Sequence, residues 1–234
     1  MREENNNVRF SSILDRLYCL EKKTELLDND LDFLTRTTSS YSWEIRNRTA
    51  EILIQSCSDR SRRLLLTLCN DKKYLVRASA CESLCSFNDE EVMHILMDKV
   101  NKDSSPIVRC YATLALGDIS LRANVAQREL LTSFFLHIKK KSRSPVIQIA
   151  VCRNLYLLGY HEYMKEMLKA AKNEKYHIRH HAIRSLWEVM NSTNKCEILS
   201  CLEEQKKTES TKSVIALIET ILADEQIVIH PSSS

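Results

Sequence analysis

Residues 103–117 read Asp-Ser-Ser-Pro-Ile-Val-Arg-Cys-Tyr-Ala-Thr-Leu-Ala-Leu-Gly, and the second half of this stretch recurs along the chain. The recurring pattern is an apolar residue followed by Arg, a small residue three positions after the Arg and an apolar residue four positions later. The apolar and small positions are spaced i, i+4 and i+8, so they form one stripe along a helix. Such a unit cannot bury its apolar face alone and must stack on copies of itself. The Arg position recurs at Arg46, Arg77, Arg109, Gln148 and Arg179.

The spacing of these copies predicts helical hairpins. Successive Arg positions are 31, 32, 39 and 31 residues apart, and the extra residues of the long step are expected around 118–128, as an extended helix or a longer loop. Six residues before the Arg lies a residue of a type that favours turns and helix caps. This residue divides each unit into helix A, a turn and helix B. The five turn residues are Ser40, Asp71, Asp103, Ser142 and Asn173. Twelve residues before the Arg lies a large apolar residue, predicted to face the core from helix A: Leu34, Leu65, Met97, Leu136 and Met167.

The predicted fold is all-α, an α-solenoid (α-α superhelix) of about five to six hairpins. Residues 1–29 are predicted to form an N-terminal tail and a capping helix with Phe10, Ile13, Leu14 and Leu17 on its apolar side. Residues 30–223 form the solenoid, which ends in a degraded copy at Val214, Ile218 and Leu222, and residues 224–234 are predicted to be a disordered tail. The repeats are expected near residues 30–56, 61–87, 90–120, 126–159, 161–191 and 193–223.

Composition agrees with a helical protein and excludes few functions. Two Gly and three Pro leave few turn-makers for sandwiches or hairpins of strands. A net charge of +3, from 34 basic and 31 acidic residues, is too balanced to indicate nucleic acid or an anionic membrane. No apolar run approaches the ~20 residues of a membrane span, and the N-terminal residues lack the apolar core of a signal peptide. We therefore expect a cytoplasmic protein that does not contact membranes.

The cysteines are predicted to be reduced packing residues. Their number, nine, is odd, and no Cys-x-x-Cys pair occurs. Cys81 and Cys152 follow the repeat's Arg position by four residues, beside the buried stripe. Free cysteine behaves there as a small hydrophobic residue.

Residues 103–117 resemble a HEAT repeat of the phycobilisome-lyase-like class, whose pattern is D-x-x-P-x-V-R-x-x-A-x-x-A-L-G. Residues 71–84 match this pattern well and residues 173–186 fairly. The resemblance implies a helical solenoid but no single function, because relatives include scaffolds, chromophore lyases, a di-iron hydroxylase and DNA glycosylases with similar repeats. It also implies a structural ladder in which each repeat Arg pairs with the turn Asp of its own or an adjacent repeat: Arg46, Asp71, Arg77, Asp103, Arg109 and Arg179.

A histidine cluster is the strongest candidate for a metal site. His177 and His181 are spaced i, i+4, which suits metal ligation from a helix. The resembling di-iron hydroxylase needs His-Glu pairs in several repeats, and the corresponding positions here hold residues such as Ala78 and Ser79. We interpret the histidines as surface residues and predict no metal, no cofactor and no catalytic residue.

The residues opposite the buried stripe are the best candidates for binding. On helix B these are the positions one, five and eight after the Arg, which form the floor of a groove if helix B lines a concave face. The predicted groove is acidic in its first half and carries basic, His and aromatic residues in its second: Glu51, Glu82, Arg153, Tyr156, His180, Arg184 and Trp187. The alternative interpretation is that Tyr156 and Trp187 pack between repeats and the charges are ordinary solvated surface.

Three functions are compatible with these residues. The first is a non-enzymatic interaction module (an adaptor, a scaffold or an immunity or inhibitor-type regulator) that binds an acidic or phosphate-bearing segment of another protein in the groove. The second is nucleic-acid binding of the DNA glycosylase type, with help from Lys139, Lys140 and Lys141, although Glu51 and Glu82 oppose it. The third, a metal-dependent or lyase-type enzyme, lacks a recognisable set of nucleophile, base and orienting residue.

Overall fold

The computed structural model describes residues 2–229, and it describes side chains for residues 11–224. All of the regular secondary structure in this part of the chain is helical. Short 3-10 turns follow α5 and precede α10. The α-helices are α1 (Arg2–Glu21), α2 (Asp28–Thr37), α3 (Trp43–Leu53), α4 (Asp59–Leu68), α5 (Tyr74–Ser83), α6 (Glu90–Lys102), α7 (Pro106–Ser120), α8 (Val125–Lys141), α9 (Pro145–Leu157), α10 (Met164–Ala170), α11 (Tyr176–Glu188), α12 (Lys195–Thr208) and α13 (Lys212–Ile229).

The chain divides between Ala123 and Asn124 into two compact units. The first unit contains α1 and the hairpins α2–α3, α4–α5 and α6–α7, and the second contains the hairpins α8–α9, α10–α11 and α12–α13. Within the first unit the B helices α3, α5 and α7 pack against one another in order, and within the second α9 packs on α11 and α11 on α13. The prediction of an all-α fold built from stacked hairpins is therefore confirmed.

The predicted stripe of helix B lies in the core of each unit. Val76, Ala80 and Leu84 are fully buried, and the matching residues of the second unit, such as Ala182 and Leu186, are too. Burial of a large aliphatic side chain contributes roughly 1.5–3 kcal/mol, so the apolar residues of the stripe stabilise the packing of the helices.

The N-terminal helix packs on α3. It buries Leu17 and Leu20, while Ile13 and Leu14 are half-buried. Phe10 lies outside the residues whose side chains are described. At the other end of the chain α13 extends to Ile229, so residues 224–229 are helical where a tail was predicted, and residues 230–234 lie outside the described part.

The helix A positions were predicted correctly in some repeats and wrongly in others. Leu34 and Leu65 are fully buried, but Met97 and Leu136 are only half-buried. In those repeats the core is filled by the preceding residue, Leu96 or Phe135. The reason is the turn: α6 and α8 continue to the residue before the turn Asp103 or Ser142, whereas α2 and α4 end three residues before theirs. Because helix A ends closer to the turn residue in these repeats, its buried face is shifted by one residue.

The longer step between the third and fourth repeats is taken up by helices. The third B helix, α7, continues to Ser120, and the fourth A helix, α8, begins at Val125. Of the two predicted alternatives, the stretch 118–128 is therefore mostly extended helix with a four-residue turn, residues 121–124.

The turn residue of each repeat caps the chain before helix B begins. Its side-chain oxygen accepts a hydrogen bond from the backbone N–H two residues later, at 2.8 Å for Asp71 to Lys73 and 2.9 Å for Asp103 to Ser105. Ser40, Ser142 and Asn173 make the same contact. This local turn satisfies a backbone donor that would otherwise lack a partner at the helix entrance.

The repeat arginines join consecutive repeats. Arg46 donates from Nε and Nη2 to the two carboxylate oxygens of Asp71 in the next repeat, at 2.6 and 2.9 Å. Arg77 binds Asp103 in the same way, with both distances 2.9 Å. The remaining Nη1 of each Arg binds the carbonyl of its own turn residue. Each rung therefore fixes two turns at once through charge-assisted, bidentate hydrogen bonds.

The ladder departs from its predicted residues in two places. Arg179 makes its rung with Glu209, at 2.6 Å for both bonds, although the sequence had suggested only Asp partners. Within the described side chains, the buried Nε of Arg109 has no hydrogen-bond partner. The residue at the partner position of Arg109 in the sequence is Ser142, which carries no carboxylate. The rungs of the ladder are therefore made by Arg46, Arg77 and Arg179.

A comparison of Arg77→Met with Arg109→Met tests this assignment. Removal of Arg77 leaves the Asp103 carboxylate, only 5% exposed, without its counter-charge, and we expect a loss of about 3 kcal/mol in the free energy of unfolding. Removal of Arg109 breaks no rung and removes an unsatisfied donor, so the loss should stay below about 1 kcal/mol. Urea unfolding followed by circular dichroism measures both values. Equal losses would contradict the ladder.

The third rung predicts a dependence of stability on pH. The hydrogen bonds from Arg179 lower the pKa of Glu209 to about 2 from its ordinary 4.5. Because the folded pKa is the lower one, the stabilisation is complete above pH ~5 and is lost as the pH falls from ~4.5 towards ~2. Glu209→Gln should flatten this part of the stability profile, whereas Glu203→Gln, on the exposed side of α12, should leave its slope unchanged.

Candidate functional site

The basic residues predicted for the second half of the groove share one carboxylate. Arg153 of α9 donates from Nε to Glu188 Oε2 at 2.7 Å, and Arg184 of α11 donates from Nε to Glu188 Oε1 at 3.1 Å. The side chain of Arg153 is 9% exposed and that of Arg184 is 52% exposed. Arg153 is therefore a buried, internally paired residue and not a groove contact, which corrects the prediction. Arg184 remains at the surface.

Sequence reasoning missed Glu188, although a signal was present. It follows Arg184 by four residues on α11, a spacing at which opposite charges meet on a helix. Of the two arginines that bind Glu188, Arg184 is the one exposed to solvent.

Tyr156 is a packing residue. It is 6% exposed and its hydroxyl accepts a hydrogen bond from Asn194 Nδ2 at 2.7 Å. Its ring makes an edge contact with His161, with 4.9 Å between ring centroids. The physical reason is that α9 packs on both α10 and α11, which covers the side of α9 that the sequence placed in the groove. Of the two sequence interpretations, packing between repeats holds for Tyr156.

The other residues predicted for the second half of the groove lie on α11. Trp187 is half-buried and packs against the core of the second unit, and His180 and His181 are half-buried beside Arg184. We call the surface formed by His177, His180, His181, Arg184 and Trp187 the α11 face. It combines an apolar ring, a guanidinium and three imidazoles within three helical turns.

Two histidines of the α11 face, His180 and His181, have lowered pKa values. Burial lowers the pKa of His180, and the nearby charge of Arg184 lowers it further. Burial also lowers the pKa of His181, with smaller contributions from His180, Arg184 and His177. Around neutral pH, His180 and His181 therefore add little positive charge to that of Arg184.

The acidic residues predicted for the groove belong to the first unit. Glu51 of α3 is half-buried and accepts a hydrogen bond from Asn47 Nδ2 at 2.7 Å. Burial raises its pKa, although Arg48 opposes the shift. Glu82 is half-buried on α5. Ala78, predicted one position after Arg77 as part of the floor, is buried because α3 and α7 pack on both sides of α5.

Two basic residues at the surface of their helices, Lys139 and Arg62, are engaged in ion pairs. Lys139 binds Glu166 at 2.5 Å and the side-chain oxygen of Gln148 at 2.8 Å, and Arg62 forms a bidentate pair with Asp89 at 2.8 Å. Gln148, which stands at a repeat Arg position, donates to the carbonyl of Ser142 as the arginines do for their turns. Lys139 is therefore a structural residue that replaces a missing rung.

All nine cysteines are free thiols. Cys69 and Cys81 are buried with 3.7 Å between their sulfur atoms, and Cys152 is buried near Lys139. The hydrogen bond with Cys69 and burial raise the pKa of Cys81, and burial raises that of Cys152 to about 11, so both thiols are protonated at neutral pH. Among the described side chains, no group of three or more His, Cys, Asp or Glu residues is arranged to hold a metal ion. None of the described helices combines the length and the hydrophobicity that a bilayer-spanning segment requires.

Comparisons with known proteins identify the repeats. The HEAT repeats model matches residues 31–117 and 61–137. No functionally curated protein shows significant sequence similarity to the chain.

Among solved structures, YibA of E. coli is 18% identical, with 92% of this chain and 77% of that one covered and a TM-score of 0.53, which shows a shared fold. The phycocyanin lyase complex of CpcE and CpcF from Nostoc sp. PCC7120 is 20% identical, covering 82% and 97% of the two chains with a TM-score of 0.40. Human deoxyhypusine hydroxylase, in complex with glycerol, is 15% identical, covering 91% and 89% with a TM-score of 0.44. The sequence match to the repeat model over residues 31–137 and the stacked, Arg-joined hairpins lead to one conclusion: this chain contains HEAT repeats.

Proposed function

We propose that the chain is a non-enzymatic protein-binding module, an adaptor, scaffold or inhibitor-type regulator, whose α11 face receives an acidic or phosphate-bearing segment of another protein. HEAT repeats as a class serve in protein–protein interaction, and the choice of an acidic segment rests on one observation. Two guanidiniums, Arg153 and Arg184, share the single carboxylate of Glu188.

The arrangement around Glu188 supports an anionic ligand in two ways. Arg153 is held below the surface by Glu188 and supplies charge without being exposed to solvent. Arg184 is tethered by the same carboxylate at 3.1 Å while half of its side chain remains exposed. A tethered Arg loses less conformational entropy on binding than a free one, so the site favours a carboxylate or phosphate group.

Trp187 supports a peptide as the carrier of that group. It lies three residues after Arg184, so both side chains share one side of α11. Trp and Arg are among the residues most enriched at the energetic centres of protein interfaces. A segment with one acidic group and one apolar side chain matches this pair.

Nucleic-acid binding is less well supported. Its predicted phosphate contact Lys139 is engaged by Glu166 and Gln148. His180 and His181 have lowered pKa values and contribute little positive charge at neutral pH. A DNA probe is therefore the comparison ligand in the test.

A charge reversal tests the proposal. We expect Arg184→Glu to weaken binding of a fluorescent phosphoserine- and Glu-containing peptide at least ~10-fold, because one attractive charge becomes repulsive next to Glu188. Fluorescence anisotropy with the full chain measures the Kd, and thermal unfolding checks that the variant folds.

The matched control is Lys165→Glu, an exposed cation on α10 of the same unit. It makes the same change in net charge and should leave the Kd within about twofold, since screening limits effects of distant surface charges. Equal losses in both variants, or unchanged binding in Arg184→Glu, would contradict the proposal. Stronger binding of duplex DNA, with the same loss in Arg184→Glu, would instead favour the nucleic-acid function.

A further inference from the structure

The turns between helices A and B of the first unit expose large apolar side chains. Tyr41 is fully exposed, Tyr74 is 38% exposed and Ile107 is 41% exposed. Each lies in the turn of a successive repeat or at the start of its B helix, between two and five residues before the repeat Arg. Apolar side chains that recur at one edge, and do not enter the core, are typical of interaction surfaces.

A lysine links two of these turns. Lys73 Nζ lies 4.7 Å from the ring centroid of Trp43 and 5.8 Å from that of Tyr74. Trp43 and Tyr74 each stand three residues before their repeat Arg, so the cation bridges equivalent positions of two repeats. The two rings hold the ammonium group in place by cation–π attraction. We call the surface formed by Tyr41, Trp43, Lys73, Tyr74 and Ile107 the turn edge.

The charge around the turn edge is positive. The carboxylates of Asp71 and Asp103 are paired with Arg46 and Arg77 in the ladder and add no net charge. An open depression of about 390 Å³ adjoins the second turn, where Lys99 and Lys102 line it with Asp98. Lys102 is paired with Asp98 at 2.6 Å. The other lysines of the edge and depression, Lys72, Lys73 and Lys99, outnumber the one remaining carboxylate, Glu44.

We propose that the turn edge is a second protein-binding surface, which takes an acidic segment carrying aromatic or aliphatic side chains. Carboxylates of that segment bind Lys73 and the lysines of the depression. Its apolar side chains pack on Tyr41, Tyr74 and Ile107. The surface is made of other residues than the α11 face and does not depend on it.

The observations favour a polypeptide over a single-stranded nucleic acid. Lys73 covers a face of Trp43, so that face is closed to base stacking. Ile107 offers an aliphatic contact, which suits a side chain better than a base.

The experiment uses the full chain and three probes: a twelve-residue peptide of alternating Glu and Leu or Phe, the same peptide with Lys in place of Glu, and the oligonucleotide dT12. Anisotropy gives the Kd of each probe. A photoreactive benzophenone in the acidic peptide, followed by mass spectrometry, locates the contact. We expect the acidic peptide to bind and to cross-link near Tyr41 and Tyr74.

Substitutions distinguish binding at the turn edge from a general effect of surface charge. Lys73→Glu should raise the Kd of the acidic peptide at least ~10-fold, and Tyr41→Ala, at a fully exposed site, should raise it ~3-fold or more without loss of stability. The chain offers a matched control on α1, where Lys22 Nζ lies 4.0 Å from the exposed ring of Tyr18. Lys22→Glu and Tyr18→Ala should leave the Kd within about twofold.

Several results would overturn the proposal. They are the absence of acidic-peptide binding up to ~1 mM, equal weakening by the Lys22 and Lys73 variants, or dT12 binding that is tighter and lost in Lys73→Glu. The Arg184→Glu variant distinguishes the two surfaces. If it abolishes all binding and cross-linking, the α11 face is the only site; if cross-links at the turn edge persist, the turn edge binds independently.

Discussion

A guanidinium from one repeat and a carboxylate from the next meet beneath the turns, and the geometry of both units depends on this pair. Arg46 with Asp71 and Arg77 with Asp103 each hold two turns, because the Arg also binds the carbonyl of its own turn residue. The same carboxylates accept the backbone N–H that precedes helix B. Burial alone would raise the pKa of Asp71 and of Asp103, but the hydrogen bonds from arginine and backbone outweigh it and lower both values. The rung is thus a satisfied, charged network inside an otherwise apolar stack, where an unpaired charge would be costly.

Ion pairs within the protein limit the number of basic side chains that can contact a partner. Arginines and lysines that look available in the sequence, such as Arg62, Lys139 and Arg153, are held by Asp89, Glu166 and Glu188. Two cations matter for the proposed contacts: Arg184 on the α11 face, whose side chain is about half exposed, and half-buried Lys73 on the turn edge. At both, an aromatic ring lies beside the cation. Protein interfaces combine these residue types because the ring buries apolar area and the cation makes directional contacts with an anionic group.

The repeat pattern allowed much of the fold to be predicted. The stripe around Val76, Ala80 and Leu84 is buried as expected because spacing of i, i+4 and i+8 places three side chains on one side of any helix. Helix A was harder to place. Met97 and Leu136 miss the core by one position since α6 and α8 leave through a shorter turn than α2 and α4. Successive residues of a helix are rotated by about 100°, so a shift of one residue changes which side of the helix faces the core. No residue type in the sequence distinguishes the two kinds of turn.

The candidate sites, like the fold, could be predicted from the sequence only in part. Local periodicity was enough to identify the hairpin repeat, the turn residues and the residues opposite the stripe. The packing of the helices was needed to show that Tyr156 and Arg153 are covered, that Glu188 binds two arginines and that Glu209 completes a rung. Each of these depends on which helix packs beside α9 or α11 and at what distance, and residues 30 or more positions apart meet there. Local patterns carry no information on such pairs, so burial and charge pairing emerge only when the repeats are stacked.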